Sequence, residues 1–318
     1  MIKLGLISNP NSQRNRRGLD GLRAAVAGTS DLLHRELGKD GGLGEILREL
    51  AGREVGLVVI NGGDGTVQRA LTELLEARPF ERVPPLAILP RGMANMTAGD
   101  VGLRGSPGRA LARLIERARR SDLERSLVRR RILRIENVAG ASVQRCMFFG
   151  AAAIYDAIEL CCKEVYARGF KGNLGMSLTL AGLLLGNLLG RSGRVLRGHE
   201  IGVAIDDQAP VLTRRLLVLA TTLDRLILGS RPFWNQGAGS IRFTSIAHPP
   251  PQLLRSAAKV LYGWRRTSLP AGSYVSQGAE RIALDLDGAF TLDGELFSPA
   301  SGRPLLLSAQ ESVGFIRL

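Results

Sequence analysis

Gly62-Gly63-Asp64-Gly65-Thr66 is the stretch whose residue types and spacing best suit chemistry. It follows an apolar run at residues 55–60. It precedes residues 67–77, whose apolar positions 67, 70, 71, 74 and 75 have helical spacing. A glycine-rich turn between strand and helix suits a phosphate. Glycines let the backbone turn sharply and approach a ligand. Free amides at the helix start face the anion, and the helix dipole adds attraction. Thr66 can cap the helix or donate to a phosphate oxygen. Asp64 would repel a bare phosphate, so its presence points to a bridging magnesium or to proton transfer. The turn has no Lys and no GxGxxG spacing, so it is neither a Walker A loop nor a dinucleotide fingerprint. The plain alternative is a tight turn with Asp64 as a cap.

Three other short motifs sit at the ends of apolar runs. Asn9-Pro10-Asn11-Ser12 follows residues 2–8, and Pro90-Arg91-Gly92-Met93-Ala94-Asn95 follows residues 86–89. Asp293-Gly294-Glu295 follows residues 290–292, where Asp-Gly alone reads as a hairpin turn. His34, His199 and His248 lie far apart, and no Cys or His pair has zinc spacing.

The elements that must position these motifs change character along the chain. The first third alternates short apolar runs with helical patterns, including residues 107–119 with Pro at the first turn. That alternation predicts a mostly parallel sheet covered on both faces. From residue 126 short β-like runs dominate: 127–135, 143–149, 200–205, 216–221, 241–246, 282–286, 290–292 and 304–307. Helical patterns at 153–167 and 173–189 interrupt them. The predicted division is an α/β domain at 1–128 and a β-rich domain at 129–318, with the last segment available to pack back on the first domain. Residues 173–190 carry no charge, but 18 residues with repeated glycine read as a buried or lipid-facing helix rather than a membrane span.

The chain has 318 residues, 45% of them apolar, and a mean hydropathy of +0.06, which excludes a disordered tail and a polytopic membrane protein. Three cysteines exclude a disulfide scaffold and fit a reducing compartment. No signal-peptide pattern is present at the start, so a cytoplasmic protein is expected. The net charge of +14 comes with 38 Arg and 5 Lys. It favours anionic lipid or nucleotide as a partner, and no nucleic-acid motif accompanies it. Arginines crowd residues 113–134, which reads either as a patch for anionic membrane or as a solvated face.

Taken together and in order, the four motifs resemble the diacylglycerol kinase catalytic-domain family, which includes bacterial lipid kinases and sphingosine kinases. The resemblance spans essentially the whole chain. It implies an α/β first domain similar to that of phosphofructokinases and NAD kinases, and a C-terminal β-sandwich. It implies ATP and magnesium. Nucleotide contacts fall on Asn9, Pro10, Asn11, Ser12, Gly62, Gly63, Asp64, Gly65, Thr66, Gly92, Met93 and Asn95, with Asp64 organising the metal. Catalytic roles fall on Asp64, Asp293 and Glu295, with Glu295 as the base that takes a lipid hydroxyl proton. Asp156 resembles a head-group contact, the alternative being a first-turn helix acid. The expected activity is transfer of the γ-phosphoryl group of ATP to a hydroxyl of diacylglycerol or a sphingoid base. The lipid is expected at a membrane surface, the protein being cytoplasmic and peripheral on the inner face.

The chain departs from the family pattern at several points. Gln13 stands where a Gly closes the first motif. Met93 and Met96 replace a hydroxyl and a carboxylate, and Arg69 stands where a Glu is common. The stretch Asn235-Gln236-Gly237-Ala238-Gly239 lacks the acid of a structural magnesium turn, and no acid lies at residues 130–132. An NAD-kinase-like enzyme and a non-catalytic nucleotide- or lipid-binding protein are the alternatives.

Overall fold

The computed structural model describes residues 2–160, 197–234, 237–262, 269–270 and 272–318. In chain order its elements are β1 (Leu4–Ser8), α1 (Asp20–Val26), β2 (Leu32–Glu36), α2 (Leu43–Gly52), β3 (Leu57–Gly62), α3 (Asp64–Glu76), β4 (Leu86–Pro90), α4 (Met96–Val101), α5 (Pro107–Arg119) and β5 (Leu127–Arg131). There follow β6 (Leu133–Val138), β7 (Ala141–Cys146), β8 (Phe148–Ala152), α6 (Ala153–Leu160), β9 (His199–Ile205), β10 (Val211–Thr221), β11 (Ile241–Ala247) and α7 (Leu253–Tyr262). The last are β12 (Tyr274–Ala279), β13 (Arg281–Asp285), β14 (Phe290–Leu292), β15 (Glu295–Phe297), β16 (Leu305–Ser308) and β17 (Ser312–Ile316). Two compact units result, residues Met1–Arg130 with Ser312–Leu318, and residues Arg131–Glu311.

The first unit holds a sheet in the order β2-β1-β3-β4-β17-β5, with β2, β1, β3, β4 and β17 paired in parallel. Residues 57–60 are buried throughout, as a strand covered on both faces must be. Leu57 and Val59 join one core with Leu111, Leu114 and Ala118 of α5. On β1, the position of Gly5 is fixed by α2: a Cβ there would lie 2.7 Å from a Leu50 methyl. The buried positions of α5, Ala110, Leu111, Leu114, Ile115 and Ala118, repeat at helical spacing, and each large one contributes about 1.5–3 kcal/mol by burial. The first unit is therefore the doubly covered α/β domain expected from the alternation.

The second unit is antiparallel and β-rich. Its sheet runs β15-β14-β8-β10-β9-β13-β16-β6-β7, and β11 and β12 branch from β10. The branch arises because β10 is long. Val211 to Arg215 pair with β9, whereas Leu217 to Thr221 pair with β8 and β11. Ile135, Phe149, Val203, Phe243 and Phe290 from separate strands meet in one core, and Phe149 stacks on Phe290 at 5.3 Å between centroids.

Two β runs divide differently from the expectation. Residues 127–135 form two strands: β5 joins the first sheet and β6 the second, and the chain crosses at Ile132, whose amide donates to the Glu311 carbonyl. Residues 143–149 also divide, because Met147 and Phe148 turn their amides to the Asp293 carboxylate. Helix α7 and strand β12 lie where no element was expected. Phe233 is a packing anchor, buried beneath the Arg242 guanidinium at 5.3 Å. Among the described residues no helix is long and apolar enough to cross a membrane. The expectations for residues 161–167, residues 173–190, Asn235-Gln236 and Gly263-Trp264 lie outside the described residues.

Candidate functional site

Within the first unit, three loops meet at the C-terminal ends of β1, β3 and β4. The glycine turn runs from β3 into α3, with Gly63 as the extended residue before the helix. The amides of Thr66 and Val67 both donate to the Gly63 carbonyl. The amides of Asp64 and Gly65 lie ahead of any intrahelical acceptor and stand at the positive end of the helix. Gly62, Gly63 and Gly65 do not have positive φ. Two of these glycines are required for space. A Cβ on Gly62 would lie 2.7 Å from the Thr66 Cβ, and one on Gly63 would lie 2.8 Å from the Gly92 Cα. The turn and the residue 90–95 loop therefore touch backbone to backbone.

The other two loops are fastened to this turn by side-chain amides. Asn9 Nδ2 donates to Thr66 Oγ1 at 2.8 Å, and Asn9 Oδ1 accepts the Asn11 amide at 2.9 Å. The Gly63 amide donates to Ser12 Oγ at 3.2 Å. Asn95 is in the left-handed region at φ 51°, which Asn tolerates better than most residues. Its Oδ1 accepts the Gly92 amide at 2.7 Å and its Nδ2 donates to the Gly92 carbonyl at 2.9 Å, closing the loop. Asn9, Pro10, Asn11, Ser12, the glycine turn, Gly92, Met93 and Asn95 thus form one neighbourhood in the first unit.

Asp64 has a more specific place than the motif suggested. Its Oδ2 accepts the Met96 amide at 3.1 Å and its Oδ1 accepts the Thr97 amide at 3.0 Å. It is a cap for α4 supplied from another helix. It is 7% exposed, and burial pushes its carboxyl up from the ordinary range against the pull of those amides. The expected magnesium organiser is in this arrangement a buried cap with both oxygens engaged. Among the described residues no three His, Cys, Asp or Glu side chains gather as a metal cage.

Asn15 was not singled out by the sequence, yet it ties the loops together. It is buried, and its Nδ2 donates to the carbonyls of Asn9 at 2.8 Å and Asn61 at 3.0 Å. Its Oδ1 accepts Arg91 Nε at 2.7 Å. The one available signal was its position just past the first motif. Of the departures, Met96 is core, and Arg69 is exposed with its Nε 3.4 Å from the Gly65 carbonyl.

Asp293, Glu295 and Asp156 belong to the second unit. Asp293-Gly294 is a two-residue hairpin turn between β14 and β15, with Leu292 opposite Glu295 and φ values of 49° and 92°. Both positive values mark the type I′ turn that Asp-Gly favours. Asp293 is 3% exposed, and its carboxylate accepts the amides of Met147 at 3.0 Å and Phe148 at 2.9 Å. The hairpin and the family motif are therefore one object: Asp293 anchors the turn to the start of β8, and Glu295 stands exposed beside it. Asp156 lies in the first turn of α6, where its Oδ2 is 3.2 Å from His199 Nε2. Burial raises its carboxyl, opposed by His199. His199 in turn lines a cavity of about 170 Å³ with Ala151, Ala152, Glu200 and Asp287.

Comparisons with known proteins bear on this geometry. Residues 3–124 match the diacylglycerol kinase catalytic domain. No curated protein matches the chain. Among solved structures, a candidate diacylglycerol kinase from Bacillus anthracis is similar at 17% identity with a TM-score of 0.65, covering 99% of this chain and 96% of that one. A second from the same organism gives 18% identity and a TM-score of 0.63, covering 99% and 97%. Yeast NADH kinase complexed with NADH gives 10% identity and a TM-score of 0.51, covering 100% and 84%. These likenesses bear out the two-part fold, an α/β domain followed by a β-rich one. The matched residues 3–124 make up nearly all of the first unit, and the match supports a phosphotransferase.

Proposed function

We propose that the protein is an ATP-dependent lipid kinase that phosphorylates a hydroxyl of diacylglycerol, a sphingoid base or a related lipid. One observation carries the reading: the three-loop neighbourhood around Gly63 and Gly92 lies within the matched catalytic domain. ATP supplies the γ-phosphoryl group when bound. The residues fit a polyphosphate because the amides of Asp64 and Gly65 open α3 without an intrahelical acceptor. Ser12 and Asn9 hold the turn, Asp64 holds the start of α4 at Met96 and Thr97, and Asn95 closes the residue 92–95 loop. In this reading magnesium arrives with the phosphates and keeps most of its water.

Glu295 takes the proton from the acceptor hydroxyl. It is exposed and rigidly placed, because Asp293 pins the turn that carries it. Asp293 acts by positioning through its two amide contacts, and Asp156 meets the polar end of the lipid. The exposed arginines 113, 119, 120, 125, 129 and 131 support docking on anionic membrane. Arg117 and Arg130 are only partly exposed and are held by Ser126 Oγ at 2.7 Å and by Asp100 at 2.9 Å. Of the exposed set, Arg120 pairs with Glu116 at 2.7 Å and Arg125 with Asp122 at 3.8 Å.

The test is transfer of label from γ-labelled ATP to a panel of diacylglycerol, sphingoid bases and NAD. The reading expects label in an organic-extractable lipid. Label in NAD alone would replace it with the soluble-substrate reading. ATP binding with no transfer to any acceptor would replace it with a binding protein.

A further inference from the structure

The loop neighbourhood contains a cation that the motifs do not explain. Arg91 follows the last residue of β4, and its backbone is fixed on both sides: its amide donates to the Gly62 carbonyl at 3.0 Å and its carbonyl accepts the Arg14 amide at 3.0 Å. Its Nε donates to Asn15 Oδ1 at 2.7 Å, which orients the planar fork. No carboxylate pairs with this guanidinium among the described residues, and neither Nη has an acceptor there. Burial lowers its affinity for a proton, and the neighbouring Arg14 charge lowers it further. A partly buried cation beside a second cation, with no anion at hand, is an arrangement that a bound anion would relieve. The next residue, Gly92, lies against Gly63, so the fork belongs to the same neighbourhood as the glycine turn. That turn has no Lys, and Met93 offers no hydroxyl.

We infer that Arg91, supported by Arg14, is a polyphosphate-contact pair that supplies the positive charge the glycine turn lacks. The inference rests on the proposed nucleotide role of this site and names the side chains that recognise the phosphates. An arginine fork matches two phosphate oxygens at once, whereas the turn's amides carry only partial charge. Discrimination should therefore rise with the number of phosphates on the ligand. If Arg91 were only a staple for Asn15, its loss would weaken all nucleotides alike.

The experiment is equilibrium binding of ATP, AMP and inorganic tripolyphosphate to the full chain and to Arg91→Gln, Arg14→Gln and the exposed control Arg109→Gln. Circular dichroism checks that each variant is folded. Arg91→Gln should weaken ATP and tripolyphosphate about 10- to 100-fold, as expected for losing a hydrogen bond to a charged group, and AMP by less than about threefold. Arg14→Gln should act in the same direction and more weakly, and Arg109→Gln should have no effect. Wild-type affinity for ATP in both Arg91→Gln and Arg14→Gln would overturn the inference, as would equal loss of ATP and AMP. Tripolyphosphate binding without ATP binding in the wild type would keep the anion site and refute the nucleotide reading. Binding of neither would refute both.

Discussion

Replacing Asp64 with Asn separates the role this structure shows from the role its motif suggests. The carboxylate accepts amides at 3.1 and 3.0 Å, one on each oxygen, and is buried. Asn keeps one acceptor and turns an NH₂ toward the other amide, leaving a buried donor facing a donor. Losing a hydrogen bond to a charged acceptor costs about 1.5–3 kcal/mol, and the lost charge at the start of α4 adds about 0.3–1 kcal/mol. Release of a buried charge offsets part of this, since burial already raises the Asp64 carboxyl. The net expectation is a loss of about 1–3 kcal/mol, or roughly 3–10 °C in the melting temperature of the first unit. The assay is thermal unfolding without nucleotide or divalent cation. Under those conditions a residue that serves only as a metal ligand would leave stability unchanged or raise it. A melting temperature equal to or above the wild-type value would refute the capping role.

Other perturbations follow from the same geometry. Gly92→Ala places a Cβ 2.6 Å from the Gly63 Cα, and should lose about 1–3 kcal/mol in denaturant unfolding together with nucleotide affinity. Gly294→Ala meets open space but keeps φ at 92°, so chemical denaturation should show a loss of about 1 kcal/mol from backbone strain alone, and Gly294→Asn should lose less. Glu36 accepts Arg23 Nε at 2.7 Å and Nη2 at 2.8 Å, and that contact lowers its carboxyl below the ordinary glutamate value of 4.5. Because the folded value is depressed, the pair's stabilisation is present above pH 4.5 and is lost as pH falls through the folded value. Melting curves of Glu36→Gln should therefore depend less on acid below that pH than those of the wild type.

Local signals made much of the first unit legible. Residues 107–119 carry Pro at the first turn and apolar positions at helical spacing, and α5 has those bounds. Residues 55–60 are apolar without alternation, which suits a strand buried on both faces. What stayed hidden depends on partners distant in sequence. The capping role of Asp64 requires α4 to begin at Met96, and α4 has no strong periodic pattern in its six residues. The division of residues 127–135 at Ile132 depends on which sheet each half joins, and β5 and β6 are alike in apolar content. Asn15 is one more polar residue in a loop until its contacts with Asn9, Asn61 and Arg91 are seen. The pairing of Asp156 with His199 likewise spans 43 positions. By contrast Asp293-Gly294 announced its hairpin directly, since Asp-Gly supplies two positive φ values at low cost. The use of its carboxylate on Met147 and Phe148 did not show in sequence.

The central claim is that this chain transfers a phosphoryl group with Glu295 as the base, on a nucleotide held by the first unit. The most direct test measures lipid-phosphorylating turnover and ATP affinity side by side in the wild type and Glu295→Gln. The account predicts turnover reduced at least about 100-fold with ATP affinity within about twofold. Undiminished turnover in Glu295→Gln, or a loss of ATP affinity with turnover intact, would contradict it.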